Sequence, residues 1–108
     1  MNNETAPLVI GQGPDPGLLT ISGDLDSHSC SSLAEKMERE EPTQQLTIEM
    51  SGVRFIDSSG LRVLVAGHKA RSGTDGPLVL LNPSRAVLRM LDITALDDLL
   101  NVMSTRSE

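Results

Sequence analysis

Two consecutive segments of the sequence share a β–turn–α design, and this constrains the fold more than any other feature. The first is LTIEMSGVRFIDSSGLRVLV at 46–65, and the second is LVLLNPSRAVLRML at 78–91. In each, a short strand-like run precedes apolar residues at helical spacing. Such units usually place neighbouring strands in parallel, with the connecting helices packed on the sheet.

The residues before position 46 predict further elements of the same sheet. LVI at 8–10 and LLTIS at 18–22 read as two strands joined by the Gly- and Pro-rich turn GQGPDPG. A first helix follows, with Asp26 or Ser27 as its N-cap. Its buried face is predicted from the spacing of Cys30, Leu33, Ala34 and Met37.

The C-terminal part predicts a third helix and leaves one element open. The third helix starts after Pro83 and presents Val87, Leu88 and Leu91 to the core. The segment LLNVM fits either a helix or a last edge strand, and we favour a strand near 99–103. The whole chain is therefore expected to be one α/β domain, 1–108, with a mixed four- to five-stranded sheet. Residues 1–7 and 104–108 are expected to be flexible ends.

Composition narrows the classes of function. The formal net charge of −6 disfavours nucleic acid and anionic membranes as partners. Phe55 is the only aromatic residue, so stacking platforms for bases are not expected. Cys30 is the only cysteine, which leaves no internal disulfide and no cysteine metal cluster. No membrane span or signal peptide is recognisable, and we expect a cytoplasmic protein that needs no cofactor or metal.

The tetrapeptide DSSG at 57–60, in FIDSSGLR, is the corner most in need of an explanation. Asp57 or Ser58 could cap the second helix, and on its own the motif favours that structural interpretation. Serine catalysis is disfavoured because His68 lies two to three turns along the same helix from Ser58. His28 follows the GDLD turn and could come near Ser58 in space, but nothing in the sequence forms the nucleophile elbow of a serine hydrolase. We therefore expect no catalytic residues.

A serine that is phosphorylated must be exposed, must offer a reachable hydroxyl and must produce an effect elsewhere, and this corner meets the first two requirements. A serine at the start of a helix is exposed with its hydroxyl reachable, and the helix start favours added negative charge by about 0.3–1 kcal/mol. The nearby Asp57 offsets part of that gain, so the fold should survive the modification. Its effect must then appear at an interface with another protein.

With these residues assembled, the chain resembles the STAS domain family, and within it the bacterial anti-sigma factor antagonists. The resemblance covers roughly residues 18–100, through ISGDLDSHS, LTIEMSGVRFIDSSGLRVLVAGHKA and LVLLNPSRAVLRMLDITAL. It implies partner switching. The unmodified domain would bind an anti-sigma factor that is also a serine kinase, and would free the sigma factor. Phosphorylation would then release the complex, and a metal-dependent serine phosphatase would reset it.

The resemblance assigns the modified serine to Ser58 and a partner-binding role to its neighbours. In addition to Ser58, the partner-binding residues would be Asp24, Asp26, Asp57, Ser59, Gly60 and Arg62. Asp26 would lie beside Ser58 and orient its hydroxyl, or cap the first helix. The free protein is expected to be a monomer that does not insert into membranes.

One alternative keeps the STAS fold but removes the switch. The domain would then be a constitutive scaffold subunit of a lipid or anion transport complex, and the serine pair argues against this. Two departures from the family concern the C-terminal part. Ala95 stands where relatives often have Gly, and the C-terminal helix of longer relatives is expected to be missing or fragmentary.

Overall fold

The computed structural model describes residues 6–105, which form a five-stranded mixed sheet and three helices. The elements in chain order are β1 (Val9–Gln12), β2 (Leu18–Leu25), α1 (Cys30–Glu38), β3 (Leu46–Ile56), α2 (Ser58–Arg71), β4 (Leu78–Leu81), α3 (Arg85–Thr94) and β5 (Asn101–Met103). The strands lie side by side in the order of the sequence. β1 is antiparallel to β2, and the other neighbours are parallel. The predicted α/β class is confirmed, with five strands.

One apolar cluster joins all three helices to the sheet. In β3, Ile48 is fully buried, while Thr47 beside it is partly exposed. Leu33 of α1, Leu64 of α2 and Leu91 of α3 are fully buried in the same cluster as Ile48. Because successive side chains of a strand point to opposite faces, the helices cover one face of the sheet. Each such burial stabilises the fold by about 1.5–3 kcal/mol.

The two strands that lead to the DSSG corner are longer than the sequence predicted. The predicted strands 18–22 and 46–50 continue to the ends of β2 and β3. Gly52 does not break the strand: a β-carbon there would lie 2.8 Å from that of Ser22, so glycine allows a close approach. The register of β2 against β3 shifts nearby, and Gly23 has a φ of 95°. The segments after positions 22 and 50, where the predicted strands ended, are therefore irregular parts of β2 and β3.

The first helix begins later than predicted. The expected N-cap was Asp26 or Ser27, but α1 starts at Cys30 after the cap residue Ser29. Asp26 instead organises the turn before the helix. Its Oδ1 accepts the backbone N–H groups of His28 (3.0 Å) and Ser29 (3.2 Å). Asp26 therefore caps the turn that leads directly into α1, and the N–H of Cys30 donates to its carbonyl at 2.8 Å.

The third helix and the last strand are close to the predictions, with one exception. Ser84 caps α3 by accepting the N–H of Val87 at 3.3 Å. Leu88 was expected in the core but is 47% exposed, because the buried stripe runs through Val87 and Leu91 instead. The helix ends at Ala95 in the left-handed conformation, with φ 59°. The predicted strand near 99–103 is confirmed as β5.

A buried arginine, which the sequence did not reveal, ties two loops together. Arg71, the last residue of α2, is 7% exposed. Its guanidinium donates hydrogen bonds to four backbone carbonyls, those of Glu40, Glu41, Gln44 and Gly76. The loop before β3 and the loop before β4 are thereby fixed to the end of the same helix.

The expected flexible ends fall mostly outside the described residues, since positions 1–5 and 106–108 are not described. Inside the described range, Ala6 and Thr105 both make hydrogen bonds. The N–H of Ala6 donates to Asp24, and that of Thr105 donates to Asn82. Across residues 6–105, no helix combines the length and the apolar character needed to cross a membrane.

Candidate functional site: the Ser58 corner

The parallel pairing of β2 with β3 brings two helix-leading segments together at one edge of the sheet. Leu25 pairs with Ile56, the last residues of the two strands. The N–H of Asp57 donates to the carbonyl of Leu25 at 3.3 Å. We call the two adjoining segments, Asp24–Ser29 and Arg54–Arg62, the Ser58 corner. Residues that are some thirty positions apart in the chain therefore form one continuous surface.

Asp57, rather than either serine, caps α2. Its Oδ1 accepts the backbone N–H groups of Ser59 (2.9 Å) and Gly60 (3.1 Å). Its backbone is extended, with φ −116° and ψ −172°, as is usual for a residue in this position. The choice that the sequence left open, Asp57 or Ser58, is therefore settled in favour of Asp57.

Ser58 is the first residue of α2 and is exposed to solvent. Its hydroxyl forms no hydrogen bond with any residue between 6 and 105, and thus none with Asp26. The predicted orienting role of Asp26 is therefore not supported by a direct bond. An exposed hydroxyl at the start of a helix that donates and accepts no hydrogen bond within residues 6–105 is chemically available for modification.

Gly60 brings α2 close to the end of β2. A β-carbon at this position would lie 2.5 Å from the carbonyl oxygen of Leu25 and 2.7 Å from its Cγ. Gly60 itself is buried. At the corner it lets the helix start approach the strand end, and its predicted partner-binding role stays a prediction.

Asp24 is inside the corner rather than on its surface. Its side chain is 5% exposed, and its Oδ1 lies 3.1 Å from the Nε of Arg54 in an ion pair. Its Oδ2 accepts the N–H of Ala6 at 3.1 Å, while its own N–H donates to the Ala6 carbonyl at 2.9 Å. Any effect of Asp24 on a partner must therefore act through the arrangement of its neighbours.

Two exposed residues of the corner, Phe55 and Arg54, were not singled out from the sequence. Phe55 is 48% exposed and the Arg54 side chain 58% exposed. Strand alternation would bury one of two consecutive residues. Here both are exposed between the buried Val53 and Ile56, after the register of the strand has shifted. The only aromatic residue of the chain thus lies on the surface two positions before the cap.

A groove of about 590 Å³ runs between α1 and α2 and begins at the corner. Ser59 and Arg62 line one part of it, and Cys30, expected in the core, is half-buried along its wall. Arg62 is exposed, and it forms no ion pair with any residue in the 6–105 range. No three metal-ligand side chains come together in that range either.

Fold and site together define a small α/β domain whose polar residues gather where two parallel strands pass into helices. The family model of the STAS domain matches residues 8–108. The chain is 35% identical over 91 residues to the anti-sigma-B factor antagonist of Bacillus subtilis, which covers 83% of each chain. It is 33% identical over 84 residues to that of Staphylococcus epidermidis, 76% of this chain and 78% of that one. The chain therefore belongs to the STAS domain family.

Solved structures show the same fold. A putative anti-sigma factor antagonist from Thermotoga maritima superimposes with a TM-score of 0.71 at 23% identity, covering 93% of this chain and 86% of that one. The antagonist SpoIIAA in its unphosphorylated form gives a TM-score of 0.70 at 20% identity, covering 93% and 89%. The resemblance inferred from the sequence is confirmed.

Proposed function

We propose that this domain is an anti-sigma factor antagonist switched by phosphorylation of Ser58. The observation that carries the proposal is the division of labour at the start of α2. Asp57 holds the helix cap, and Ser58 is exposed with its hydroxyl unengaged. The relatives named above are antagonists, and the SpoIIAA structure is of an unphosphorylated form, which supports the same interpretation.

The partner in this proposal is an anti-sigma factor that is also a serine kinase. The Ser58 hydroxyl loses its proton to a base of the kinase and attacks the γ-phosphorus of a nucleoside triphosphate. An oxygen–phosphorus bond forms, the bond to the bridging oxygen breaks, and the nucleoside diphosphate leaves. A metal-dependent phosphatase reverses the modification by hydrolysis. The domain itself is substrate and ligand, and it catalyses no reaction.

Electrostatic repulsion explains how a single phosphate on Ser58 can dissociate the complex. A unit charge that faces a like charge at about 4 Å costs about 4 kcal/mol at an effective dielectric constant near 20. That corresponds to roughly a thousandfold in affinity. Since the exposed Ser58 lies outside the core and outside the cap, the same phosphate should leave the fold of the domain intact. The partner contact would include Asp57, Ser58, Ser59 and Arg62, with Asp24, Asp26 and Gly60 holding the corner in shape.

The mechanism requires an acidic group of the partner opposite Ser58, whereas the net charge of −6 suits a docking face that is otherwise basic. We expect the free domain to be a cytoplasmic monomer without affinity for nucleic acid. The rival function, a constitutive scaffold subunit of a transport complex, differs in one decisive respect: it requires no modification of Ser58.

Peptide-level mass spectrometry of the protein from its own host, with and without phosphatase treatment, tests the proposal. We expect a phosphatase-sensitive phosphate at Ser58 that Ser58→Ala abolishes and Ser59→Ala does not. Calorimetry against recombinant anti-sigma factor kinases of the same host should then show that binding is lost on phosphorylation and retained in Ser58→Ala. If Ser58 is unmodified under all growth and stress conditions, the scaffold function becomes the better account.

A further inference from the structure

Ser58 and Arg62 are four residues apart on α2, and both are exposed. On a helix, side chains at this spacing are neighbours, with about 5–6 Å between their β-carbons. A phosphate on Ser58 and the guanidinium of Arg62 would each extend beyond its β-carbon, so the two groups can meet. Arginine offers several N–H donors in one plane, which suits the oxygens of a phosphate.

The helix start itself is poorly placed to neutralise that phosphate. A phosphate at the beginning of a helix usually binds the free backbone N–H groups of the first turn. Here Asp57 already accepts those of Ser59 and Gly60, and the N–H of Leu61 donates to the Asp57 carbonyl. The Asp57 carboxylate also adds a negative charge next to the phosphate. The strongest countercharge available to the phosphate is therefore a side chain.

The other charged groups of the corner are less suited to this role. Arg54 is held in an ion pair with Asp24. Asp26 is acidic and accepts two N–H groups of its own turn. His28 is exposed on that same turn, and its imidazole offers at most two N–H donors against the five of a guanidinium. Arg62 forms no ion pair with the residues between 6 and 105, and its guanidinium is thus available.

We propose that Arg62 is the internal receptor for the phosphate on Ser58. The inference rests on the proposed function in one respect, the choice of Ser58 as the modified residue. Arg62 also lines the groove between α1 and α2. Phosphorylation therefore changes the docking surface twice: it adds negative charge at Ser58, and it draws the Arg62 cation away from the groove. The ion pair converts a local modification into a change one helical turn along the surface.

The test uses protein with phosphoserine inserted at position 58 during translation, so that no kinase is needed. Phosphorus NMR follows the second ionisation of the phosphate, which has a pKa of about 6. A neighbouring guanidinium favours the dianion, so Arg62→Ala should raise this pKa by about 0.15–0.4 units, while Arg62→Lys should restore most of the difference. An Arg62→Ala value equal to that of the parent phosphoprotein would overturn the proposal.

Lys69→Ala is the matched control, because it removes one exposed cation from the same helix. At 1.5 Å per residue it lies about 16 Å from Ser58, which exceeds the screening length of about 8 Å at physiological salt. Its effect on the phosphate pKa should be below 0.1 unit by the same screening argument. An equal shift in Lys69→Ala would reduce the Arg62 effect to one of net charge and overturn the ion pair.

His28→Gln is a background variant that removes the imidazole from the corner, so that Arg62 can be compared with Arg62→Ala without it. The difference between Arg62 and Arg62→Ala should persist in that background. These measurements also stand apart from the proposed function. If Ser58 is never modified in the host, the proposed function fails although the pKa shift is found. If Ser58 is modified but the shift is absent, only the receptor role of Arg62 fails.

Discussion

Gly60 and Leu25 are in such close contact that a side chain on the first would collide with the backbone of the second. The distance from a β-carbon at position 60 to the Leu25 carbonyl oxygen would be 2.5 Å. This contact joins the start of α2 to the end of β2, the two halves of the Ser58 corner. The shape of the candidate site therefore depends on the absence of one methyl group.

Gly60→Ala should accordingly lower the free energy of unfolding by about 1–3 kcal/mol, since overpacking against backbone cannot be relieved by a rotamer change. Urea unfolding followed by circular dichroism measures this loss. Ser59→Ala, one position earlier in the helix, is the matched control and should change stability by less than about 0.5 kcal/mol. Equal stability of Gly60→Ala and the parent would show that the corner can open without cost.

The helix cap makes a second prediction, which separates Asp57 from Ser58. Asp57→Ala leaves the N–H groups of Ser59 and Gly60 without their acceptor, and should cost about 1 kcal/mol of stability. Ser58→Ala removes no recorded hydrogen bond and should cost less than about 0.5 kcal/mol. Thermal unfolding of both variants under one condition makes the comparison. A larger loss for Ser58→Ala than for Asp57→Ala would contradict the assignment of the cap.

Phe55 should contribute to partner binding rather than to the core. A half-exposed aromatic at the corner is the kind of residue that anchors interfaces, so Phe55→Ala should weaken binding of the anti-sigma factor about 10-fold or more. Leu99→Ala is the control. Leu99 is 41% exposed but lies just before β5, where the parallel strands begin, whereas the Ser58 corner lies where they end. Calorimetry of both variants decides the matter, and equal affinities for the two would exclude Phe55 as an anchor.

Ala95 is a site where the protein can be stabilised. Its φ of 59° lies in the left-handed region, which costs a residue with a β-carbon about 1 kcal/mol relative to glycine. Ala95→Gly should therefore raise the free energy of unfolding by about 0.5–1 kcal/mol. Ala66→Gly, an exposed position in the interior of α2, should lower it by a similar amount because glycine is a poor helix former. If both substitutions destabilise, α3 does not end in this conformation in solution.

Much of the fold followed from short patterns in the sequence, because each pattern is local. The β–turn–α segments predicted β3, α2, β4 and α3, and the DSSG motif predicted where α2 begins. The same patterns could not show where β2 and β3 end. Gly23 and Gly52 look like turn residues, yet Gly52 is required by its close approach to Ser22, and Gly23 by its left-handed φ of 95° and the nearby backbone of Pro7. Such contacts between distant residues leave no periodic signal.

The candidate site was predicted in outline, and its internal arrangement was not. Asp24 and Phe55 illustrate why. An aspartate near a turn is expected at the surface, but this one is buried because Arg54 and Ala6 supply its partners. An aromatic residue is expected inside, but this one is exposed after a shift in strand register. Arg71 shows the same limit, since its four acceptors are carbonyls that no sequence motif identifies.

The separation of cap and serine at the start of α2 has an evolutionary consequence. Under the proposed function, a single codon change at position 58 would remove regulation and still leave a domain that folds and docks, because Asp57 secures the helix. A duplicated copy of such a gene can therefore pass from a reversible regulator to a permanently active one in a single step. No unstable intermediate stands between the two forms.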